Sequence, residues 1–174
     1  MPRDPNIQIY VAARALGDIV RKLGDRILAD IIPILEAGLD SEITDQRRGV
    51  CTGLIELMRN CTKEQLSSAN YSSDFIVFIR RAISDHQPEV RRAGARAFDL
   101  LHNSLGVRAI DGLLPDLLAQ LDASQQDSAQ HAATLDGLRQ LLTVKSKAVM
   151  PHLVPKVISC GSPIIYFFRP YNHM

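Results

Sequence analysis

The chain has 174 residues, 20 Lys and Arg against 19 Asp and Glu, and a formal net charge of +1. That balance argues against a dedicated nucleic-acid-binding domain, which is usually basic as a whole. Aromatic content is 5% with no Trp, so platforms for stacked bases are few.

Cys51, Cys61 and Cys160 are odd in number and fit no ligand spacing, which reads as unpaired thiols in a reducing compartment. Met1 to Pro5 lacks the apolar core of a signal peptide. The longest apolar run of the body, Ile31-Ile32-Pro33-Ile34-Leu35, is far short of the ~20 residues that cross a bilayer. The expected place is the cytosol, with no membrane partner.

In chain order, Ile7 to Leu23 reads as a helix. Val11, Ala12, Ala15, Leu16, Ile19, Val20 and Leu23 recur at helical spacing, and Gly24 closes the element. Arg26 to Leu39 is a second helix, in which Pro33 predicts a kink because it removes one backbone hydrogen bond. Thr44-Asp45 opens a third, striped by Val50, Leu54, Leu57 and Met58. Asn60 to Asn70 is polar and reads as a loop with a short helical turn. Phe75 to Ser84 is the next helix, followed by a turn at Asp85-His86-Gln87-Pro88.

Glu89 to Asn103 carries the clearest stripe: Val90, Ala93, Gly94, Ala97, Phe98 and Leu101. Pro88 sits where a first helical turn tolerates a missing N–H, and Glu89 suits the positive end of the helix dipole. Ile110 to Leu121 follows Gly106 and carries Pro115 in its middle. A polar connection, Ala123 to Asp127, leads to Ser128–Leu142. Val149 to Ile158 begins a last helix, with Pro155 inside it.

These helices repeat. A small residue precedes a bulky one at Ala15-Leu16, Gly53-Leu54, Ala97-Phe98 and Gly137-Leu138, in steps of 38, 44 and 40. The first helices of each pair align independently, Pro33 to Pro115 spanning 82 and Pro115 to Pro155 another 40. A period of ~40–47 with two helices per unit is the HEAT or armadillo pattern. The fold expected is all-α, a right-handed α-solenoid of about four HEAT repeats. The outer repeats are incomplete: the chain begins inside a second (B) helix and stops near the start of a first (A) helix. A core face should be open at both ends.

The runs Val11-Ala12-Ala13-Arg14-Ala15-Leu16-Gly17-Asp18-Ile19-Val20-Arg21-Lys22-Leu23-Gly24 and Ile31 to Glu36 are very similar to the large "general control" HEAT-repeat translational activators of eukaryotes. So are Arg48-Gly49-Val50-Cys51-Thr52-Gly53-Leu54, Pro88-Glu89-Val90-Arg91-Arg92-Ala93 and Leu153-Val154-Pro155-Lys156. The resemblance covers about residues 10–158. It implies a scaffold that binds ribosomes and activates the amino-acid-starvation kinase acting on the alpha subunit of translation initiation factor two. The place implied is the C-terminal third, in or beside the segment that engages the kinase's RWD domain. Residues 1–9 depart from the family and read as an extension. Residues 159–174 lose the repeat and read as an irregular tail, with a sticky apolar run at Ile164 to Phe168.

No Gly-rich phosphate loop or Gly-x-Ser-x-Gly elbow is present, and the five histidines are scattered. No enzyme, cofactor, metal or small-molecule substrate is expected. Ser84-Asp85-His86 has the residue types of a triad, but neighbours along a turn do not point at one another. The surface candidates are basic pairs in successive repeats: Arg47 and Arg48, Arg80 and Arg81, Arg91 and Arg92 with Arg96, and Lys145 with Lys147. Aligned by stacking, they would form a ridge for an acidic partner face or for ribosomal RNA phosphates. Otherwise each is a solvated face or an intra-repeat partner of Asp45, Asp85, Glu89 or Asp99. Arg92 and Arg96, one turn apart and expected outward, lead the group. Arg91 is the weakest of the group, because the Val90-Arg91 pair is a common structural element of HEAT repeats. Two other functions fit the same pattern: a generic HEAT protein-interaction module of the transport or phosphatase-scaffold kind, and an RNA-binding or ribosome-binding solenoid.

Overall fold

The computed structural model describes residues 5–124 and 126–159. Among them, eight helices and no strand follow one another. These are α1 (Pro5–Leu23), α2 (Asp25–Leu39), α3 (Thr44–Asn60), α4 (Lys63–Ser67), α5 (Ala69–Ile83), α6 (Pro88–Leu105), α7 (Val107–Ala123) and α8 (Ser128–Ser159). Apart from Ser159, which ends α8, the expected tail at 159–174, with its run from Ile164 to Phe168, lies outside the described residues.

The helices stack in two rows. α1, α3, α6 and the first part of α8 form one; α2, α5 and α7 form the other, and the two rows pack pairwise as α2 on α3, α5 on α6 and α7 on α8. The second part of α8 runs beside α7, where His152 reaches within 3.7 Å of Asp111. This is an all-α helical-repeat solenoid. A continuous core threads it from Val20 through Leu54, Phe75, Phe98 and Leu114 to Val157. Each fully buried Leu or Phe contributes about 1.5–3 kcal/mol relative to an exposed one.

The links from the second row-helix to the next first helix are very short. Gly106 adopts φ 59°, its N–H donating to the His102 carbonyl at 2.8 Å and its carbonyl accepting from Ala109 N–H at 3.1 Å. One residue thus closes α6 and opens α7, in a conformation that costs any side chain with a Cβ. Gly24 does the same between α1 and α2 at φ 65°. The third such link is Lys145, with φ −138° and ψ 44° inside α8. The two helices expected there, ending at Leu142 and beginning at Val149, thus meet at one non-helical residue, not across a loop. Lys145 Nζ ties the break to α6 through Asp99 Oδ1 and Asn103 Oδ1, both at 2.9 Å.

Helix α5 is a correction. It begins at Ala69, six residues before the expected Phe75, and the intervening polar stretch is mostly helical. A capping box starts α4: Thr62 Oγ1 accepts from Gln65 N–H and Gln65 Oε1 accepts from Thr62 N–H. Ser68, at φ −55° and ψ 133°, breaks the chain before α5. Between Cys61 and Phe75 the buried residues are Leu66, Ser72 and Phe75, too few for a stripe to show in sequence.

Cys51 lies wholly inside, and burial pushes its thiol from 9.0 up to about 12, with the Asp85 charge adding to the rise. The thiolate is the nucleophile, so Cys51 is expected to resist iodoacetamide at pH 8 until the chain unfolds, while half-buried Cys61 is alkylated first; peptide mapping by mass spectrometry reads this directly. Above about pH 9 the unfolded chain releases this proton and the folded chain keeps it, so stability falls as pH rises.

A candidate partner-binding surface

The six arginines expected on one surface divide three ways. Arg47, at the start of α3, is buried. Its Nε donates to Asp85 Oδ2 at 2.7 Å, its Nη2 to Asp85 Oδ1 at 3.1 Å, and its Nη1 to the Ser41 and Glu42 carbonyls at 2.8 and 3.1 Å. Five donors on a planar fork suit such a junction. Arg47 therefore staples the α2–α3 link to the α5–α6 link, and it leaves the list of surface candidates. Arg91 does similar work one repeat later, donating to Asp136 Oδ2 at 2.6 Å and to the Asp85 carbonyl at 2.8 Å.

Arg80 and Arg81 close α5 on the other row. Arg80 pairs with Asp116 of α7, and Arg81 with Asp40 at the end of α2. They bridge successive repeats and stand apart from the remaining three. Arg48, Arg92 and Arg96 do come together. Arg48 is one turn from Asp45 at 2.9 Å and Arg92 one turn from Glu89 at 3.1 Å. Arg96 is exposed and makes no ion pair among the described residues.

These three guanidinium groups line a cleft of about 380 Å³ with Tyr10, Thr52 and Glu89. Positions 48 and 52 on α3, and 92 and 96 on α6, are each four apart, so both helices turn one polar face to the same opening. Tyr10 brings α1 to it. A neighbouring cleft of about 390 Å³ shares Tyr10 and Arg96 and continues over Ile55, Arg59, Leu100 and Val144. The surface thus runs from a cationic end to a partly apolar one. Guanidinium forks beside an aromatic ring suit carboxylate bonded through both oxygens.

Sequence reading missed Tyr10, Ile55, Leu100 and Val144. They belong to four helices, and no local spacing links them. Ser84 Oγ, for its part, donates to Gln120 Oε1 at 2.7 Å, while Asp85 holds Arg47 and lies 3.6 Å from His86 Nδ1, so Ser84 stands apart from the other two. Among the described residues, no three His, Cys, Asp or Glu side chains gather as a metal site. No described helix is long and apolar enough to cross a membrane.

No protein-family model matches the chain, and no solved structure matches it. Curated relatives do. It is 46% identical over 147 residues, 84% of its length, to the stalled ribosome sensor GCN1 of Mus musculus. To the eIF-2-alpha kinase activator GCN1 of Dictyostelium discoideum it is 45% identical over 150 residues, or 86%. To the protein of that name in Saccharomyces cerevisiae it is 35% identical over 165 residues, or 94%. The chain spans about 5% of the mouse and Dictyostelium proteins and 6% of the yeast one.

Proposed function

We propose that this chain, which belongs to the GCN1 family as the counterpart of about 5% of a member's length, is a non-enzymatic HEAT-repeat scaffold module in translational control. Its working unit is the array over residues 10–158, from the C-terminal third of such a protein, and its place is the cytoplasm. The relatives' names, a stalled ribosome sensor and an eIF-2-alpha kinase activator, support the setting. The partner is the RWD domain of the starvation kinase, with the ribosome held by the same assembly. The mechanism is tethering, which raises the kinase's effective concentration near a stalled ribosome without chemistry.

The observation that carries this reading is the joint opening of Arg48, Arg92 and Arg96 beside Tyr10. An RWD domain presenting carboxylates would meet the Arg96 guanidinium there and compete with Asp45 and Glu89 for Arg48 and Arg92. A pull-down of the chain with the RWD domain tests it. Reversing Arg92 and Arg96 to Glu should weaken binding roughly tenfold or more, since each tenfold step is only about 1.4 kcal/mol. Undiminished binding by the folded double variant removes this cleft from the contact. Affinity for RNA in place of the RWD domain, falling steeply with salt, would favour the RNA-binding reading.

A further inference from the structure

The pairing inside the arginine cleft discriminates between anions. Arg48 and Arg92 already meet carboxylates one turn before them, Asp45 at 2.9 Å and Glu89 at 3.1 Å. A partner's carboxylate that captured either fork would replace a group of its own kind and leave Asp45 or Glu89 unpaired. That exchange gains little, because exposed pairs of this kind contribute little to begin with. A phosphorylated side chain differs: it carries a charge of about −1.5 to −2 at pH 7 and three acceptor oxygens. It can take the Arg96 fork, which has no ion pair among the described residues, and still accept from Arg48 and Arg92. The lining matches that charge. Three guanidinium groups stand against the one carboxylate of Glu89, and the cleft stays cationic when Asp45 beside Arg48 is counted as well.

The neighbouring cleft bears on what carries the phosphate. It continues from Arg96 over half-buried Ile55 and Leu100 to exposed Val144. Its charged members are already paired, Glu56 with Arg59 and Asp99 with Lys145, which leaves the aliphatic groups to recognise a ligand. Positions 96 and 100 lie on one face of α6, about 6 Å apart along its axis. An extended peptide sets side chains i and i+2 on one side, about 6.6 Å apart. A phosphorylated residue on Arg96 thus brings the second residue after it over Leu100 and Val144. The sugar-phosphate backbone of a nucleic acid has no aliphatic side chain to offer there. Both α3 and α6 are inner helices of their row, between α1 and the first part of α8.

We propose that this surface binds a phosphorylated segment of a partner protein in extended form: its phosphate sits on Arg96 with Arg48 and Arg92, and an aliphatic side chain two residues later rests on Leu100 and Val144. This rests on the cleft being the partner-binding surface, and it makes that contact depend on phosphorylation of the partner.

Fluorescence anisotropy of the full chain with labelled peptides Gly-Ala-Gly-X-Gly-Leu-Gly-Ala tests it, X being phosphoserine, glutamate or serine. The phosphoserine form should saturate below about 200 µM and bind roughly tenfold or more tighter than the glutamate form. Arg96→Ala, at an exposed position, should erase that preference, and Val144→Asp should erase the preference for Leu over Ala two residues after the phosphate. Arg26→Ala, exposed on α2 in the other row, should change neither. Circular dichroism confirms the fold of each variant. Equal affinity for the phosphoserine and glutamate forms, no saturation, an undiminished Arg96→Ala variant, or an oligouridylate bound more tightly than the phosphopeptide would overturn the proposal. An RWD domain that binds through Arg92 and Arg96 while the phosphopeptide shows no preference overturns this inference and leaves the kinase reading standing. A phosphopeptide preference with no RWD binding does the reverse.

Discussion

Asp85→Ala is expected to cost about 3–5 kcal/mol of stability, the range for breaking a buried ion pair by removing one partner. Both members, Arg47 and Asp85, are nearly out of solvent, and they meet through two hydrogen bonds at 2.7 and 3.1 Å. Without the carboxylate, the Arg47 guanidinium keeps only the Ser41 and Glu42 carbonyls and the His86 ring as partners. A cation left there is far from the hydration it has in the unfolded chain. The substitution also removes the acceptor of Gln87 N–H at the start of α6. For a domain of this size the loss corresponds to a midpoint lower by roughly 10 °C. Arg47→Met combined with Asp85→Ala should cost clearly less than the sum of the two single changes, because it removes the orphaned charge as well. Urea denaturation of the four proteins measures this. A single-variant cost below about 1 kcal/mol, or strict additivity, would show that the staple does not hold the repeats together.

A comparable loss, about 3 kcal/mol or more, is expected for Gly137→Ala. Gly137 lies in the first part of α8, against the last residue of α5. A methyl group there would overlap the Ile83 carbonyl oxygen and sit 2.9 Å from its carbonyl carbon and 2.8 Å from Ile83 Cγ2. The obstacle is backbone at a helix end, so no rotamer change relieves it; α8 must move off α5, which opens the adjoining core. Gly94 of α6 presses on the same segment, its would-be Cβ 3.1 Å from the Ile83 nitrogen. The end of α5 is thus held between two glycines from two repeats. Gly49→Ala is the matched control. Its nearest neighbour would be an Ile9 methyl at 3.7 Å, an ordinary contact, so the usual helical gain of about 0.5–1 kcal/mol should appear as stabilisation. Equal effects at the two sites would mean that helix propensity, and not close approach, sets the outcome.

Glycine 137 also shows how far sequence reading reaches. The repeated small-then-bulky pair locates it in the period together with Ala15, Gly53 and Ala97. Only the packing says that its smallness serves a neighbour's carbonyl. The arginines divide in the same way. Arg47 and Arg48 are adjacent in sequence, yet one is buried on Asp85 and the other lines the cleft. Arg91 and Arg92 repeat that division. The Val90-Arg91 pair marks Arg91 as the weakest of the surface candidates, but nothing local marks Arg47 in that way.

Residue order alone reveals most of the helices, their period of about forty residues and the likeness to the general control activators. Those properties are local: an apolar stripe at 3.6 residues, a glycine where φ must be positive and a proline in a first turn leave their trace within one element. Tertiary structure alone decided the early start of α5, the one-residue break at Lys145, and which charges are buried, bridging or exposed. The reason is the solenoid's geometry. Every inner helix packs on a helix of its own repeat and on helices of the repeats before and after it, so one stripe cannot identify its outward face. The partner that settles each arginine is 38 residues away for Arg47 and 45 for Arg91, far beyond the reach of a local pattern.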